Sequence, residues 1–207
     1  MPTDTFHRLP AEKKQRIFQA AVQEFARCRF SEASINQIIK QAAIPRGSFY
    51  QYFAGKEDLY LYVLQEISKE KLDVYNGFTS ADPELSFLEV MEQAIPAIFV
   101  WADEHDDYNK IGLRMLQDDS SFMRETISKM SDSIGIMYDV IKEDQAKGRI
   151  RRDIEAESIV DLLQMVSTAL LREYFDLKDQ KVVMDKIKLY FDILFQGLRA
   201  KQEAGGH

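Results

Sequence analysis

Cys28 is the single cysteine among 207 residues, so no internal disulfide can form and a reducing cytoplasm is the expected compartment. Within a helical pattern that thiol reads as a small packing residue. Long apolar runs are missing too. The longest, Ala94 to Ala102, is far too short to span a bilayer, and no membrane partner is expected. Residues 1–10 contain no apolar run and read as lacking a signal peptide. Alternating β-branched runs joined by tight hairpin turns are absent, which argues against a sheet. The chain also lacks Gly-x-Ser-x-Gly, a Gly-rich phosphate loop with its lysine, His-Glu-x-x-His and any cysteine pair. No catalytic residue, metal or cofactor is therefore expected, and an enzyme is disfavoured.

What is present is a core. A hydrophobic content of 45% with 11% aromatics excludes a disordered chain, and the length fits one domain or a small one joined to a larger. The net charge of −7 is unevenly spread. Residues 1–58 carry nine Lys/Arg against six Asp/Glu, a balance of +3, whereas the remainder carries 18 against 28, or −10. A basic end on an acidic body confines contact with a polyanion to that end and limits non-specific adhesion.

Helical periodicity runs through nearly the whole sequence, which makes the fold class all-α. A first helix over about 11–29 places Ile17, Ala21 and Phe25 on one stripe, with Phe18 and Val22 beside it. A second carries Ile35, Ile38, Ile39 and Ala42 at i, i+3, i+4 and i+7, and Ser34 with Gln37 forms a capping-box pattern at its start. In a third, Phe49 and Phe53 face inward one turn apart. Beyond Lys56 a long helix is expected to stop at Asn76-Gly77. Another starts at Asp82-Pro83-Glu84 and is kinked by Pro96. Helices over about 121–147, 155–175 and 179–201 follow, and Gly205-Gly206-His207 reads as a frayed end.

Two short helices joined by a tight turn form a helix-turn-helix, whose second helix can lie in the DNA major groove. Here that helix offers Arg46, Gly47, Ser48, Tyr50, Gln51 and Tyr52 on its outer side, where a structural helix would more often carry Glu and Lys. Arg46 and Gln51 suit guanine and adenine edges respectively, with a merely solvated surface as the alternative. Gly47 and Ser48 let the backbone approach the groove edge. Tyr50 and Tyr52, beside Lys56, suit phosphate contact, although a tyrosine can equally lay its ring on the core. Lys56 near a helix start opposes the macrodipole, a conflict that a phosphate would relieve. Ser34 is both a cap and a phosphate neighbour. Lys13 and Lys14 flank a phosphate or form an ordinary charged face, and His7 and Arg8 belong to an arm that is a weaker minor-groove candidate. Lys147, Arg149, Arg151 and Arg152 read as charge complementing a helix end.

Taken together, these residues resemble the TetR family of bacterial one-component regulators. The resemblance rests on Ser34, Ile38, Ala42-Ala43-Ile44, Gly47-Ser48-Phe49-Tyr50-Gln51-Tyr52-Phe53 and Lys56-Glu57-Asp58-Leu59 in register, and covers about residues 11–64. Gly148-Arg149-Ile150-Arg151-Arg152-Asp153 is a weaker echo. Three departures stand out. Ile39 replaces the usual alanine, Pro45 replaces a capping serine, and Ala43 replaces the turn glycine, which costs roughly 1 kcal/mol if that position needs a positive φ.

The resemblance implies an N-terminal helix-turn-helix domain, residues 1–55, and a larger effector-binding and dimerisation domain, residues 56–207. It implies a ligand-released repressor that binds a palindromic double-stranded operator as a homodimer. The inducer, largely apolar, would tilt the helix starting at Lys56. Phe99, Trp101, Tyr108, Met115, Met123, Met130, Met137, Tyr138 and Met165 are the candidate effector-pocket residues, and plain core is the equally open alternative. Leu170, Ile187, Tyr190, Phe191, Leu194 and Leu198 are the candidate dimer interface, pairing the last two helices with their two-fold mates. The acidic residues around His105 read as a solvated face. The rival function is a helical ligand-binding or protein-interaction dimer that no longer binds DNA.

Overall fold

The computed structural model of the chain describes residues 2–81, 84–132, 135–176 and 180–199. Among these, helices account for almost all regular structure, and the one β contact is an isolated bridge between Ile150 and Arg199. No helix among the described residues is long and apolar enough to cross a membrane. The chain divides into two units. The first comprises Met1–Val74 and Val100–Ser128, the second Tyr75–Phe99 and Lys129–His207.

In the first unit, α1 (Asp4–His7) and α2 (Ala11–Arg27) precede a single 3-10 turn, Phe30–Glu32. There follow α3 (Ile35–Gln41), α4 (Arg46–Tyr52) and the start of α5 (Lys56–Ala81). The predicted apolar stripe of α2 is buried: Ile17, Phe18, Ala21, Val22 and Phe25 all lie in the core. Ile38, Ala42, Ile44, Phe49 and Phe53 close that core from the helix-turn-helix side. The turn between α3 and α4 needs a left-handed residue, and Ala43 supplies it at φ 52°. An alanine there carries the Cβ strain that a glycine would avoid. Pro45, with φ −62°, sets the entry to α4.

The same unit contains α7 (Asp106–Gln117) and the first part of α8 (Ser121–Asp132), and α7 packs along α2. Ile111 and Met123 are fully buried in the core that the helix-turn-helix shares. The second unit holds most of α6 (Phe87–Glu104), together with α9 (Gly135–Ala146), α10 (Ala156–Asp176) and α11 (Gln180–Leu198). Its core is built from Phe87, Leu88, Ile141, Ile159, Leu163, Phe191 and their neighbours. Gly148, at φ 72°, turns the chain out of α9, and the buried Asp144 carboxylate accepts from Phe87 N–H at 2.6 Å. Arg152 donates to the Gln145 and Ala146 carbonyls at the end of α9, the helix-end complementarity expected of that basic run.

Several elements differ from expectation. Helix α5 continues through Asn76-Gly77 to Ala81, because glycine permits a stop and does not impose one. The single helix expected over 121–147 is two, α8 and α9. Asp82 and Pro83, and Gly205-Gly206-His207, lie outside the described residues. Helix α6 starts later than predicted, at Phe87, where Ser86 and Glu89 bond each other reciprocally, and it runs through Pro96. Helix α1 was not foreseen. Thr3 caps it, accepting from Phe6 N–H, and the Phe6 ring packs on Phe53 and Tyr62 at 4.8 and 5.1 Å.

Candidate nucleic-acid interface

Helix α4 is amphipathic in the strict sense that its two sides meet different media. Phe49 and Tyr52 are buried, while Arg46, Gly47, Tyr50 and Gln51 are exposed and Ser48 is half-exposed. Tyr50, with 48% of its surface accessible, keeps its phenol in water, as a phosphate contact requires. A Cβ at Gly47 would meet nothing within 4 Å, so the absent side chain opens space toward solvent. Arg46 is held rather than loose. Its guanidinium donates to Asn36 Oδ1 at 3.0 Å and lies 6.0 Å from the Tyr50 ring centre. Asn36 itself is exposed on α3 and escaped the sequence reading; its place opposite the apolar stripe of α3 is the signal that would have found it.

Three predicted site residues are also tied into the fold. Tyr52 is buried against Phe6, and its hydroxyl accepts from Lys13 Nζ at 3.0 Å. Packing therefore sets its ring, and Lys13 is the cation brought to its edge. Lys56 Nζ donates to the Ala33 carbonyl at 2.9 Å and sits 4.6 Å from the centre of the Phe30 ring. Those carbonyl and π partners answer the helix-dipole conflict that a phosphate was expected to relieve. Ser34 is the N-cap of α3 but makes no side-chain cap bond. Its own N–H donates instead to the buried Glu24 carboxylate at 2.8 Å. Arg27 grips Glu24 through two bonds, at 2.9 and 3.0 Å. Burial raises the pKa of Glu24, yet the bonds from Arg27 and Ser34 outweigh it and hold the carboxyl below its ordinary value.

The far end of α4 is anchored by the N-terminal segment. Thr3 Oγ1 donates to the Gln51 carbonyl at 2.7 Å, and Thr3 N–H donates to the Tyr52 carbonyl at 3.0 Å. These bonds satisfy carbonyls that every helix C-terminus leaves open. His7 and Arg8 thus adjoin a docked helix rather than a loose arm, and Lys14 points its ammonium back at the His7 carbonyl.

The sequence profile described as bacterial regulatory proteins, tetR family, matches residues 17–63, the segment that runs from α2 through the helix-turn-helix into α5. The repressor NicS of Pseudomonas putida is 26% identical over 208 residues, covering 90% of this chain and 92% of its own. A TetR family transcriptional regulator from Chloroflexus aurantiacus is 27% identical, with a TM-score of 0.63 over 97% of this chain and all of the other. Residues 17–63 thus carry the tetR-family DNA-binding region, and the chain is similar to TetR-family regulators over most of its length. It is a DNA-binding transcriptional regulator, not an enzyme. The fold of a SmeT–triclosan complex is also similar, with a TM-score of 0.76 at 15% identity, covering 94% of this chain and 95% of that one.

In this regulator the residues named for an effector pocket fall in different surroundings. Trp101 and Tyr108 bracket His105, with ring centres 4.6 and 5.0 Å from the imidazole. Burial, with Glu70 next, pushes the Tyr108 phenol up to about 12. Met123 is buried in the first unit's core and Met115 packs against that core. Phe99, Met137 and Tyr138 pack against the core of the second unit. Met165 is 63% exposed on α10, and the Met130 side chain lies outside the described residues. Three surface cavities, of about 470, 320 and 130 Å³, are lined by other residues.

The dimer candidates also divide. Leu170, Ile187, Phe191 and Leu198 are buried within the chain's own second unit, and Leu194 packs against it. Only Tyr190 of the six is exposed. Among the described residues, the large apolar side chains that α10 and α11 leave exposed are Leu162, Met165, Val182, Leu189, Tyr190 and Ile193. Among the described residues no group of His, Cys, Asp and Glu is arranged to hold a metal ion.

Proposed function

We propose that this regulator is a ligand-released repressor that binds a palindromic operator as a homodimer. The observation that carries the proposal is the outer face of α4. Its inner side is locked by Phe49, Phe53 and the Thr3 bonds, while Arg46, Ser48, Tyr50 and Gln51 stand free of the core. Arg46 and Gln51 read base edges; Tyr50, Ser48 and Ser34 bind phosphates, with Lys13 reinforcing the backbone contact at the edge of Tyr52. Lys56 holds the start of α5 to the 3-10 turn. Residues 1–55 supply the reading surface, and residues 56–207 supply effector binding and dimerisation.

The exposed stripe of Leu162, Met165, Leu189, Tyr190 and Ile193 supports a two-fold pairing of α10 and α11, since water opposes such a surface. On this reading the self-contact involves neighbours of the residues named from sequence. Two such heads match half-sites about one helical turn, 34–36 Å, apart or a near multiple of it. NicS, a relative by sequence, is named as a repressor, and SmeT, alike in fold, holds triclosan. The first supports repression and the second a largely apolar ligand; release of the operator by that ligand, in the cytoplasm, completes the proposal.

Selection of bound duplexes from a random pool at near-physiological salt tests the proposal, because low salt rewards any basic surface. The expected result is one enriched palindrome. A folded dimer that enriches nothing refutes the operator reading and favours a helical dimer without DNA binding.

A further inference from the structure

The corner between α7 and α8 reaches the helix-turn-helix directly. Asp118 lies in that corner with 6% of its surface exposed. One of its oxygens accepts from Ser31 N–H at 2.8 Å, and the other accepts from Ser120 N–H at 2.9 Å. Ser31 belongs to the 3-10 turn that joins α2 to α3. The neighbouring rings make the joint rigid. Phe30 of the same turn lies 4.4 Å from Phe122 of α8, and the buried Tyr60 of α5 stands 5.1 Å from Phe30. Lys56 closes the third side by donating to the Ala33 carbonyl. Burial alone would raise the Asp118 pKa, but the bonds from Ser120 and Ser31 prevail and hold it at about 2, so the carboxylate is charged throughout the working range.

An ionised carboxylate removed from water and spent on a backbone N–H of the turn is a costly way to fill space, and an apolar residue would pack more cheaply. What the charge adds is direction: a short, charge-assisted bond fixes one distance and one angle. We infer that Asp118 is a positioning residue for DNA recognition, a staple through which the α7–α8 corner sets the orientation of the turn that carries α3 and α4. With the staple in place each head is presented at one angle, and the dimer accepts one half-site spacing. Without it the head rocks about the 3-10 turn, and the dimer tolerates several. This inference rests on the palindromic-operator reading above.

The test compares Asp118→Asn with the unaltered dimer on three duplexes: the selected palindrome, and the same half-sites moved one base pair closer and one farther. Asparagine preserves volume and one acceptor but forfeits the second charged bond. The expected result is a folded dimer whose preference for the native spacing over its neighbours falls about fivefold or more, with affinity for random duplex unchanged. Equal weakening on all three spacings and on random DNA would make Asp118 a merely structural residue and overturn the inference, as would an unaltered spacing preference. If Asp118→Asn does not fold, Asp118→Glu, which keeps the charge but lengthens the side chain and so displaces both bonds, carries the same comparison with the same readings. Failure of the unaltered protein to select any palindrome would instead overturn the operator reading, and this inference with it.

Discussion

Tyr50 and Tyr52 stand two positions apart on one short helix, and the structure gives them opposite duties. Helical geometry puts them about 200° apart, so burial of one implies exposure of the other. Tyr50→Phe should remove one phosphate bond per half-site, weakening specific and random DNA alike by about 1 kcal/mol for each site. Fluorescence anisotropy on both duplexes measures it, and unchanged affinity would exclude the Tyr50 hydroxyl from the interface. Ala43 makes a different kind of prediction. Its φ of 52° suits glycine, so Ala43→Gly should raise stability by about 1 kcal/mol in chemical denaturation. A loss of stability would show that the turn carries no such strain.

At the scale of elements, what local pattern encodes was legible in the sequence and what distant partners decide was not. The buried stripe of α2, the inward Phe49 and Phe53 and the turn at Ala43 followed from apolar spacing and from the backbone preferences of a few residues. The Ser34 cap did not hold, because Glu24, ten residues earlier, bonds the Ser34 N–H. The Ser31–Asp118 bond joins positions 87 residues apart, beyond the reach of any periodicity. The residues named for the dimer face turn out to pack mostly within the chain for another reason. Helices α10 and α11 are apolar on more than one side, and sequence does not say which side meets the chain's own core. The α7–α8 corner also has a pH signature. Asp118 is held at about 2, below its ordinary value of 3.8, so its contribution of about 2 kcal/mol is present above pH 4 and is lost as pH falls toward 2. Asp118→Asn should flatten that part of the acid-stability curve, measured by thermal melting from pH 2 to pH 5. An equally steep curve in the variant would assign the acid sensitivity to other carboxylates.

For the molecule as a whole, the proposed function makes a basic reading surface and an apolar self-pairing surface complementary requirements, since two linked heads hold a duplex more tightly than one. Ile193 is 59% exposed within the uncovered stripe, and Ile193→Glu should convert the dimer to monomer in sedimentation without unfolding the chain. A dimer that persists would place the self-contact elsewhere. The central claim is that the outer face of α4 reads sequence, and Gln51→Ala tests it most directly. Selection from the same random pool should return the same palindrome with preference relaxed at one base position in each half-site, symmetrically related. An unchanged preference at every position would contradict the account, as would a uniform loss of affinity with no position singled out.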